Sequence, residues 1–135
     1  MKAITLYQPW AGLVAIGVKR IETRSWGTFY RGTLAIHSSK NLKFYDLMKE
    51  EPYHRFVHRK EFFQFGMIIA KCQLVGMERI YKSLVDKLKK EQPLEFYFGD
   101  YSLGRWAWIL ENIELIDPSI PVKGTMGLWE WKEIE

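Results

Sequence analysis

Residues 17–24 read Gly-Val-Lys-Arg-Ile-Glu-Thr-Arg, and this charged octet says more about the fold and its purpose than any other stretch. If residues 20–26 are extended, successive side chains point to opposite faces. One face then carries Arg20, Glu22, Arg24 and Trp26, and the other carries Ile21, Thr23 and Ser25. A solvated surface strand has this pattern, since charged residues are usually exposed, and so does the floor of a ligand cleft. The flanking sequence decides between the two.

The composition fits one domain with an unusual share of aromatic rings. The 135 residues are 47% hydrophobic, which is enough to bury a core. Aromatic residues make up 16% of the chain and include six Trp. Some of these rings can line a surface groove and stack on planar ligands such as bases. The alternative is that all six pack in the core and at its rim.

The charge is distributed unevenly along the chain. The formal net charge is +4, but residues 1–60 hold eleven Lys or Arg against four Asp or Glu. Residues 61–135 hold nine against twelve. A basic half indicates a polyanionic partner, and nucleic acid is the commonest one.

Other sequence features bear on redox chemistry, metals and targeting. One cysteine, Cys72, excludes an intramolecular disulfide and a cysteine-based zinc cluster, and its apolar neighbours predict a buried thiol. His54 and His58 have a spacing that suits a metal on a helix, but no third ligand follows in register. We therefore expect no metal and no cofactor. The absence of a signal-peptide pattern, and of an apolar run near about 18 residues, predicts a cytoplasmic chain without membrane contact.

Periodicity and turn residues predict strands interrupted by two or three helices. Pro9 opens the first helix and Gly17 ends it. Ser38 and Ser39 are caps for a helix over 41–50, Pro52 ends that helix, and 53–63 forms a second short helix or an irregular arm. The predicted strands are 2–6, 19–26, 33–37, 65–75, 105–115 and 128–131, with a helix over 77–90 and a turn at Pro118 and Pro121. These elements favour a small mixed β-barrel carrying α elements.

Three separated segments form a recognisable set of motifs. They are Gln8-Pro9-Trp10-Ala11 with the octet, then Arg31-Gly32-x-Leu34-x-Ile36-His37-x-Ser39-Lys40, and a C-terminal group of Trp106-Ala107-Trp108, Pro121-Val122-Lys123-Gly124 and Gly127-Leu128-Trp129. In this order they closely resemble the ASCH domain family, the activating-signal-cointegrator homology domain. The resemblance covers nearly the whole chain. It implies an α+β fold, a small PUA-like open β-barrel with flanking and inserted helices, in which 1–135 form one domain and 41–64 a helical insertion.

The same resemblance implies a cleft that binds RNA or modified bases, and some members are coactivator modules. One branch of small bacterial members hydrolyses N4-acylcytidines with a Lys, a hydroxyl residue and a distant Glu. Lys19 matches that Lys, whereas Glu22 stands where this branch has Thr, so its nucleophile does not carry over. Thr23 is adjacent, but alternation points it to the opposite face.

The candidate groups suit the recognition of phosphates and bases. Lys19 and Arg24 can hold phosphate or base oxygens, Arg24 with a planar fork. Glu22 can accept a hydrogen bond from an exocyclic amine, act as a general base, or form an ion pair with no ligand. His37 can serve in acid–base chemistry or be a satisfied histidine at the barrel rim. The predicted helix start at 38–40 can bind one phosphate, although capping alone also explains the serines.

The full candidate binding set also includes an aromatic ring on which a base can stack and a loop whose backbone can lie close to a ligand. It is Pro9, Trp10, Lys19, Glu22, Arg24, His37, Ser38, Ser39, Lys40, Trp106, Lys123 and Gly124. Trp10 or Trp106 is the stacking platform, and the glycines of 123–127 let a backbone approach a ligand closely.

These observations leave three hypotheses of function. The first is a nucleic-acid or modified-nucleobase binding module whose partner is RNA, DNA or a modified nucleoside. The alternative is a hydrolase in the same cleft, an N4-acylcytidine amidohydrolase or a ribonuclease, with Lys19, Glu22 and His37 as catalytic groups. The third is a protein-interaction module that docks through 53–63, a segment that is otherwise a basic arm against a phosphate backbone. The oligomeric state stays open.

Overall fold

The fold is built from six strands and three short helices, and the computed structural model describes residues 1–132. The strands are β1 (Lys2–Leu6), β2 (Ile21–Arg24), β3 (Gly32–Ser38), β4 (Met67–Arg79), β5 (Trp106–Pro121) and β6 (Leu128–Glu130). The helices are α1 (Trp10–Ala15), α2 (Lys82–Glu91) and α3 (Pro93–Tyr97). Gly17, at φ +81°, follows the end of α1 as predicted.

All six strands join one sheet in the order β2-β5-β4-β3-β1-β6. β1 and β3 are parallel, and the other neighbours are antiparallel. The register between β4 and β5 shifts at three points, and that between β3 and β4 shifts between Ile36 and His37. Because each extra residue bends its strand and increases the twist, the sheet curls into a half-barrel. This is the α+β open-barrel architecture that the family resemblance implies.

Helix α1 packs between the sheet and the segment before β4. Ala11 and Val14 belong to the main core cluster with Ile4 and Ile36 of the parallel strands. Leu13, which points to the other side, belongs to a second cluster with Phe62. The helix therefore joins two apolar cores, and both of its faces are buried.

The predicted helix over 41–50 is wrong. Residues 41–64 contain three 3-10 turns, Tyr45–Lys49, Tyr53–Arg55 and Lys60–Phe63, in place of α-helix. The Ser39 hydroxyl accepts a bond from the Asn41 amide, 3.0 Å away, and closes a local turn that competes with helix start. Tyr53 and Phe62 bury their rings in the second cluster, which fixes the segment against α1.

Two other predictions about the second half are corrected. β4 continues to Arg79, since Met77–Arg79 pair with Trp106–Trp108 in place of starting the helix predicted over 77–90. Pro118 lies inside β5 and Pro121 is its last residue, so the predicted turn does not form. Between the paired residues Leu115 and Ile120 the ladder is interrupted, so Pro118 has no ladder bond to lose. The predicted strand over 105–115 is thus one long, bulged strand.

Several smaller features bear on the predictions made from the sequence. The Cys72 thiol is buried, as predicted, and donates to the Leu34 carbonyl at 3.6 Å, and burial raises its pKa to about 12. Across residues 1–132 no three His, Cys, Asp or Glu side chains form a cluster that could hold a metal. No helix in the same part of the chain has the length and apolar character needed to span a membrane.

Candidate nucleic-acid interface

A cleft of about 950 Å³, here called the main cleft, opens at one edge of the sheet. β1 and β3 are parallel, so their carboxyl ends reach the same edge, and the chain leaving each strand lines the cleft. The loop after β5 closes the opposite side. The polar and aromatic lining comes from Thr5, Tyr7, Arg24, Trp26, His37, Ser39, Lys40, Asn41, Phe65, Lys123, Gly124 and Thr125.

The charge of the main cleft is entirely positive. Arg24, Lys40 and Lys123 line it, and no carboxylate is among the lining residues that the structure describes. Within residues 1–132 neither Lys40 nor Lys123 forms an ion pair. Both lysines are exposed at the cleft and are available to an anionic ligand.

Strand β2 places Glu22 and Arg24 on one face and Ile21 and Thr23 on the other, as the alternation predicts. Ile21 and Thr23 are buried, whereas Glu22 and Arg24 are half-buried. Arg24 donates from Nε to Glu22 Oε2 at 3.0 Å and from Nη2 to the Thr5 carbonyl at 2.8 Å. Arg24 is therefore held in one orientation at the wall of the cleft, which reduces the entropy lost when its guanidinium binds a ligand.

Lys19 does not reach the main cleft. Its side chain is 1% exposed, donates to the Ile21 carbonyl, and lies 3.5 Å from Glu22 Oε1. A buried charge needs a partner of opposite sign and further hydrogen bonds, and the Glu22 carboxylate and the Ile21 carbonyl supply them. The buried Lys19 ammonium therefore stabilises the Glu22 carboxylate from the protein interior.

His37 forms the floor of the main cleft with both ring nitrogens engaged. Nε2 lies 2.7 Å from the Val122 carbonyl, which only accepts, so Nε2 carries the proton. Nδ1 then accepts from the Thr5 hydroxyl at 3.1 Å, and this hydroxyl accepts from Trp129 Nε1 at 3.2 Å. Burial lowers the pKa of His37, and the charge of Lys40 lowers it further, against the hydrogen bond to Val122. The ring is thus neutral near pH 7 with a fixed tautomer.

Gly124 lets the loop after β5 lie directly on this floor. A Cβ at this position would stand 2.6 Å from His37 Cε1 and 2.7 Å from the Thr5 hydroxyl oxygen. No larger residue fits without moving the loop, so Gly124 allows a close approach to the protein's own His37, and the predicted approach to a ligand stays a prediction.

A second pocket of about 400 Å³ adjoins the main cleft. Thr5, Tyr7 and Arg24 line both cavities and form their common wall. The remaining walls carry four aromatic rings, the Glu22 carboxylate that pairs with Arg24, and the pair Asp100–Arg105. The aromatic and polar side chains there are Trp10, Glu22, Thr23, Tyr53, Tyr97, Phe98, Asp100 and Arg105.

The far wall of the second pocket is fixed to the outer edge of β2. The Glu95 carboxylate accepts from the backbone amides of Arg20 and Ile21, at 2.7 and 3.3 Å, and the Asp100 amide donates to the Thr23 hydroxyl at 3.1 Å. Burial raises the pKa of Glu95, against the two backbone hydrogen bonds and the charge of Lys19. These contacts cover an edge strand whose amides would otherwise be unpaired.

The structure brings only part of the predicted set together. Arg24, His37, Ser39, Lys40, Lys123 and Gly124 line the main cleft, and Trp10, Glu22 and Arg24 line the second pocket. Pro9, Lys19, Ser38 and Trp106 line neither. The Ser38 hydroxyl is buried and donates to the Met67 carbonyl at 3.2 Å. The helix start expected at Ser38 and Ser39 does not form, so no helix N-terminus faces the cleft.

The two stacking candidates differ in position. Trp106 packs beneath Gly27 and Arg79, whose guanidinium lies 5.1 Å from the ring centre, and it lies outside both cavities. Trp10 contacts Phe44 edge to face, with ring centres 4.9 Å apart, and lines the second pocket.

Three basic residues of the segment 53–63 form ion pairs with carboxylates of the same protein. The pairs are Arg55–Glu51, Arg59–Glu61 and Lys60–Asp117.

Reasoning from the sequence missed several lining residues. Trp26 lines the main cleft, and the alternation already placed it on the face of Glu22 and Arg24, but the candidate set did not include it. Tyr97 and Asp100 reach the second pocket from α3 and the loop after it. Pro93 at the first position of α3 was the available signal for that helix.

Comparisons with known proteins agree with this architecture. A family model described as ASCH domain matches residues 4–119. Activating signal cointegrator 1 of Homo sapiens is 28% identical over 131 residues, which cover 94% of this chain and 22% of the relative. The same protein of Mus musculus gives the same identity and coverage. The chain therefore spans about a fifth of the length of these curated relatives.

Solved structures show the same fold. The crystal structure of ASCH from Zymomonas mobilis has a TM-score of 0.57 and 14% identity, covering 89% of this chain and 72% of that chain. A single-substitution variant of that protein has a TM-score of 0.55 and 15% identity, covering 90% and 73%. At these identities the likeness establishes the fold alone.

Proposed function

The chain belongs to the ASCH domain family, which is generally RNA-binding-related, and on that premise we propose that its main cleft binds a nucleic acid or a modified nucleobase. The observation that carries the proposal is the convergence of Arg24, Lys40 and Lys123 on one cleft whose described lining has no carboxylate. Such a cleft attracts a phosphate backbone, and cationic contacts supply most of the sequence-independent affinity for nucleic acids.

We assign each part of the main cleft a role in binding. Lys40 and Lys123 contact phosphates as mobile point charges, and Arg24 offers the remaining donors of a guanidinium that is already oriented. Trp26 and Tyr7 supply the aromatic faces on which bases stack. His37 is a positioning residue, because both of its nitrogens hold Thr5 and the loop after β5 in place.

A hydrolase remains the second candidate, favoured by one observation. Glu22 faces the second pocket with the buried Lys19 ammonium behind it, a pair that could handle a substrate proton. His37 lies in the other cavity, so the three candidate catalytic groups do not line one site. Incubation with N4-acetylcytidine and with unstructured RNA tests this function. Turnover by the wild type that Lys19→Ala and Glu22→Ala both abolish supports it, and turnover that survives both contradicts it.

The binding proposal is tested by two matched double variants. Lys40→Ala with Lys123→Ala removes two charges from the main cleft, and Lys87→Ala with Lys90→Ala removes two exposed charges from α2. Anisotropy of labelled RNA and DNA octanucleotides is measured between about 50 and 200 mM salt. We expect the cleft pair alone to lower affinity and to reduce the salt slope by about 1.4, since each phosphate contact contributes about 0.7 on a single strand.

Two results would contradict the proposal. One is binding that does not depend on salt, or no binding at low salt. The other is an equal loss in the two double variants, which would mean that net charge acts without the cleft.

A further inference from the structure

The second pocket adjoins the main cleft but differs from it in chemistry. Two carboxylates, Glu22 and Asp100, and two guanidinium groups, Arg24 and Arg105, line it, so its formal charge is balanced. Arg24 Nε is 3.0 Å from Glu22, and Arg105 Nε is 3.6 Å from Asp100. A pocket of this kind offers a phosphate little net attraction and suits a neutral, polar ligand.

The walls of the second pocket suit a planar ring. Five of the lining residues are aromatic, namely Tyr7, Trp10, Tyr53, Tyr97 and Phe98. Tyr97 and Tyr7 keep 56% and 38% of their surface exposed, and Tyr53 and Phe98 are buried beneath. Accessible aromatic faces over a packed floor are the arrangement on which unpaired bases stack.

Glu22 has one acceptor position left for a ligand. Its Oε1 accepts from the Thr23 amide at 3.1 Å and lies 3.5 Å from the Lys19 ammonium, and its Oε2 accepts from Arg24. A carboxylate offers about four acceptor positions, so one remains on Oε2. The acceptor fits an N–H donor on the edge of a base, such as an exocyclic amine.

We infer that the second pocket takes one unstacked base that carries an exocyclic amine, while the adjacent phosphates of the same strand lie in the main cleft. This inference rests on the function proposed above and adds the ligand class. Arg24, in the common wall, lies where the chain passes from phosphate contact to base contact. A base inside a continuous duplex is stacked and paired, so the ligand is a single strand or contains an unpaired nucleotide.

Matched oligonucleotides test the inference with the full chain. The probes are octathymidylate, the same strand with one central cytidine, the same strand with N4,N4-dimethylcytidine, and a blunt duplex. Dimethylation removes both N–H donors and keeps the ring. We expect the cytidine strand to bind roughly tenfold more tightly than the dimethylcytidine strand, as for a hydrogen bond to a charged group. The duplex is expected to bind more weakly than any of the single strands.

Two exposed tyrosines supply the matched variants. Tyr97 lines the second pocket, and Tyr81 is similarly exposed but lies at the start of α2, outside both cavities. Tyr97→Ala should weaken the cytidine strand by roughly fivefold or more, as when a base loses an aromatic stacking partner. Tyr81→Ala should leave binding unchanged.

The outcomes separate this inference from the proposed function. Equal affinity for the cytidine and dimethylcytidine strands, or equal effects of the two tyrosine variants, overturns the inference. If octathymidylate still loses affinity in the variant with Lys40→Ala and Lys123→Ala, the main cleft survives as the nucleic-acid site. Failure of every strand to bind overturns both.

Discussion

The main cleft and the second pocket share a wall but present opposite electrostatics. The main cleft is the larger, about 950 Å³ against about 400 Å³, and three cations line it with no carboxylate among its described residues. The second pocket balances two carboxylates with two guanidinium groups inside aromatic walls. If the proposed function holds, this difference assigns long-range attraction to one surface and local discrimination to another, and the two surfaces meet at Arg24.

A buried titratable group lies next to each cavity, and the pKa values of the two groups are shifted in opposite directions. His37 lies under the main cleft, and burial lowers its pKa. Glu95 lies behind the second pocket, and burial raises its pKa. Each group forms hydrogen bonds that fix one wall, His37 to the Val122 carbonyl and Glu95 to the amides of Arg20 and Ile21. The walls are therefore held by polar contacts that pH can alter.

Replacing Arg24 should have the largest effect, because it removes the wall that the two cavities share. Arg24→Gln loses the charge and the bonds to Glu22 and to the Thr5 carbonyl. We expect nucleic-acid affinity to fall by about tenfold or more, since hydrogen bonds to charged groups contribute about 1.5–3 kcal/mol. Anisotropy with the cytidine strand and octathymidylate measures the loss in each cavity.

Arg24→Lys separates charge from geometry at the same position. Lysine keeps the charge but not the planar fork, so we expect partial recovery with octathymidylate and little recovery of the preference for cytidine. Full recovery of both would show that the common wall has no orienting role.

Gly124→Ala should act on the main cleft alone. The added methyl would stand 2.6 Å from His37 Cε1, so the loop after β5 has to move. We expect a loss of about 1–3 kcal/mol in the free energy of unfolding, as for other overpacked sites. Urea denaturation measures it, and Thr125→Ala, on the exposed part of the same loop, is the control. An unchanged unfolding midpoint in Gly124→Ala would show that the loop does not rest on His37.

We expect pH to have a smaller effect on stability, through the buried His37 under the main cleft. Because the folded pKa of His37 is below its usual 6.5, the unfolded chain takes up the proton first as pH falls. The contribution of His37 to stability is therefore complete above about pH 6.5 and is lost as pH falls through the folded pKa. His37→Gln should flatten this part of the stability profile, and His54→Gln, at an exposed site, should not.

The stability that Glu95 contributes behind the second pocket should change with pH in the opposite direction, and this effect should be the smallest. Because the folded pKa of Glu95 is above its usual 4.5, the unfolded chain ionises first as pH rises. Its contribution is complete below that usual value and is lost as pH rises through the folded pKa. Glu95→Gln should remove this slope, whereas the exposed Glu91→Gln should retain it. Parallel slopes for His37 and Glu95 would contradict the comparison.

Local signals in the sequence predict the elements of the first 38 residues well. β1 was predicted with its observed bounds, α1 was placed between Pro9 and Gly17, and β3 was predicted to within a residue at each end. Part of the main cleft follows from local elements, since Arg24 ends β2, His37 lies on β3 and Lys40 comes shortly after it, whereas Lys123 comes from the loop after β5. Alternation over the predicted strand 19–26 puts Lys19 on the face of Ile21 and Thr23, which is the buried face, but its chemistry placed it in the candidate set.

The rest depended on contacts between residues distant in sequence. Met77–Arg79 have a helical pattern, but pairing with Trp106–Trp108 makes them strand. Pro118 signals a turn, and only the interrupted ladder opposite β4 shows why a strand accepts it. The second pocket requires α3 to dock on β2 through Glu95, 75 residues from Arg20. No local pattern predicts that contact.

The most direct test of the central claim is an amide chemical-shift titration of the full chain with the cytidine octanucleotide at low salt. We expect the largest shifts at Gly124, Thr125 and the Trp26 indole of the main cleft, with a second group at Tyr97 and Gly99 of the second pocket. The lysine-rich face of α2 should not respond. Shifts confined to α2, or a bound strand that leaves both cavities unperturbed, would contradict the account.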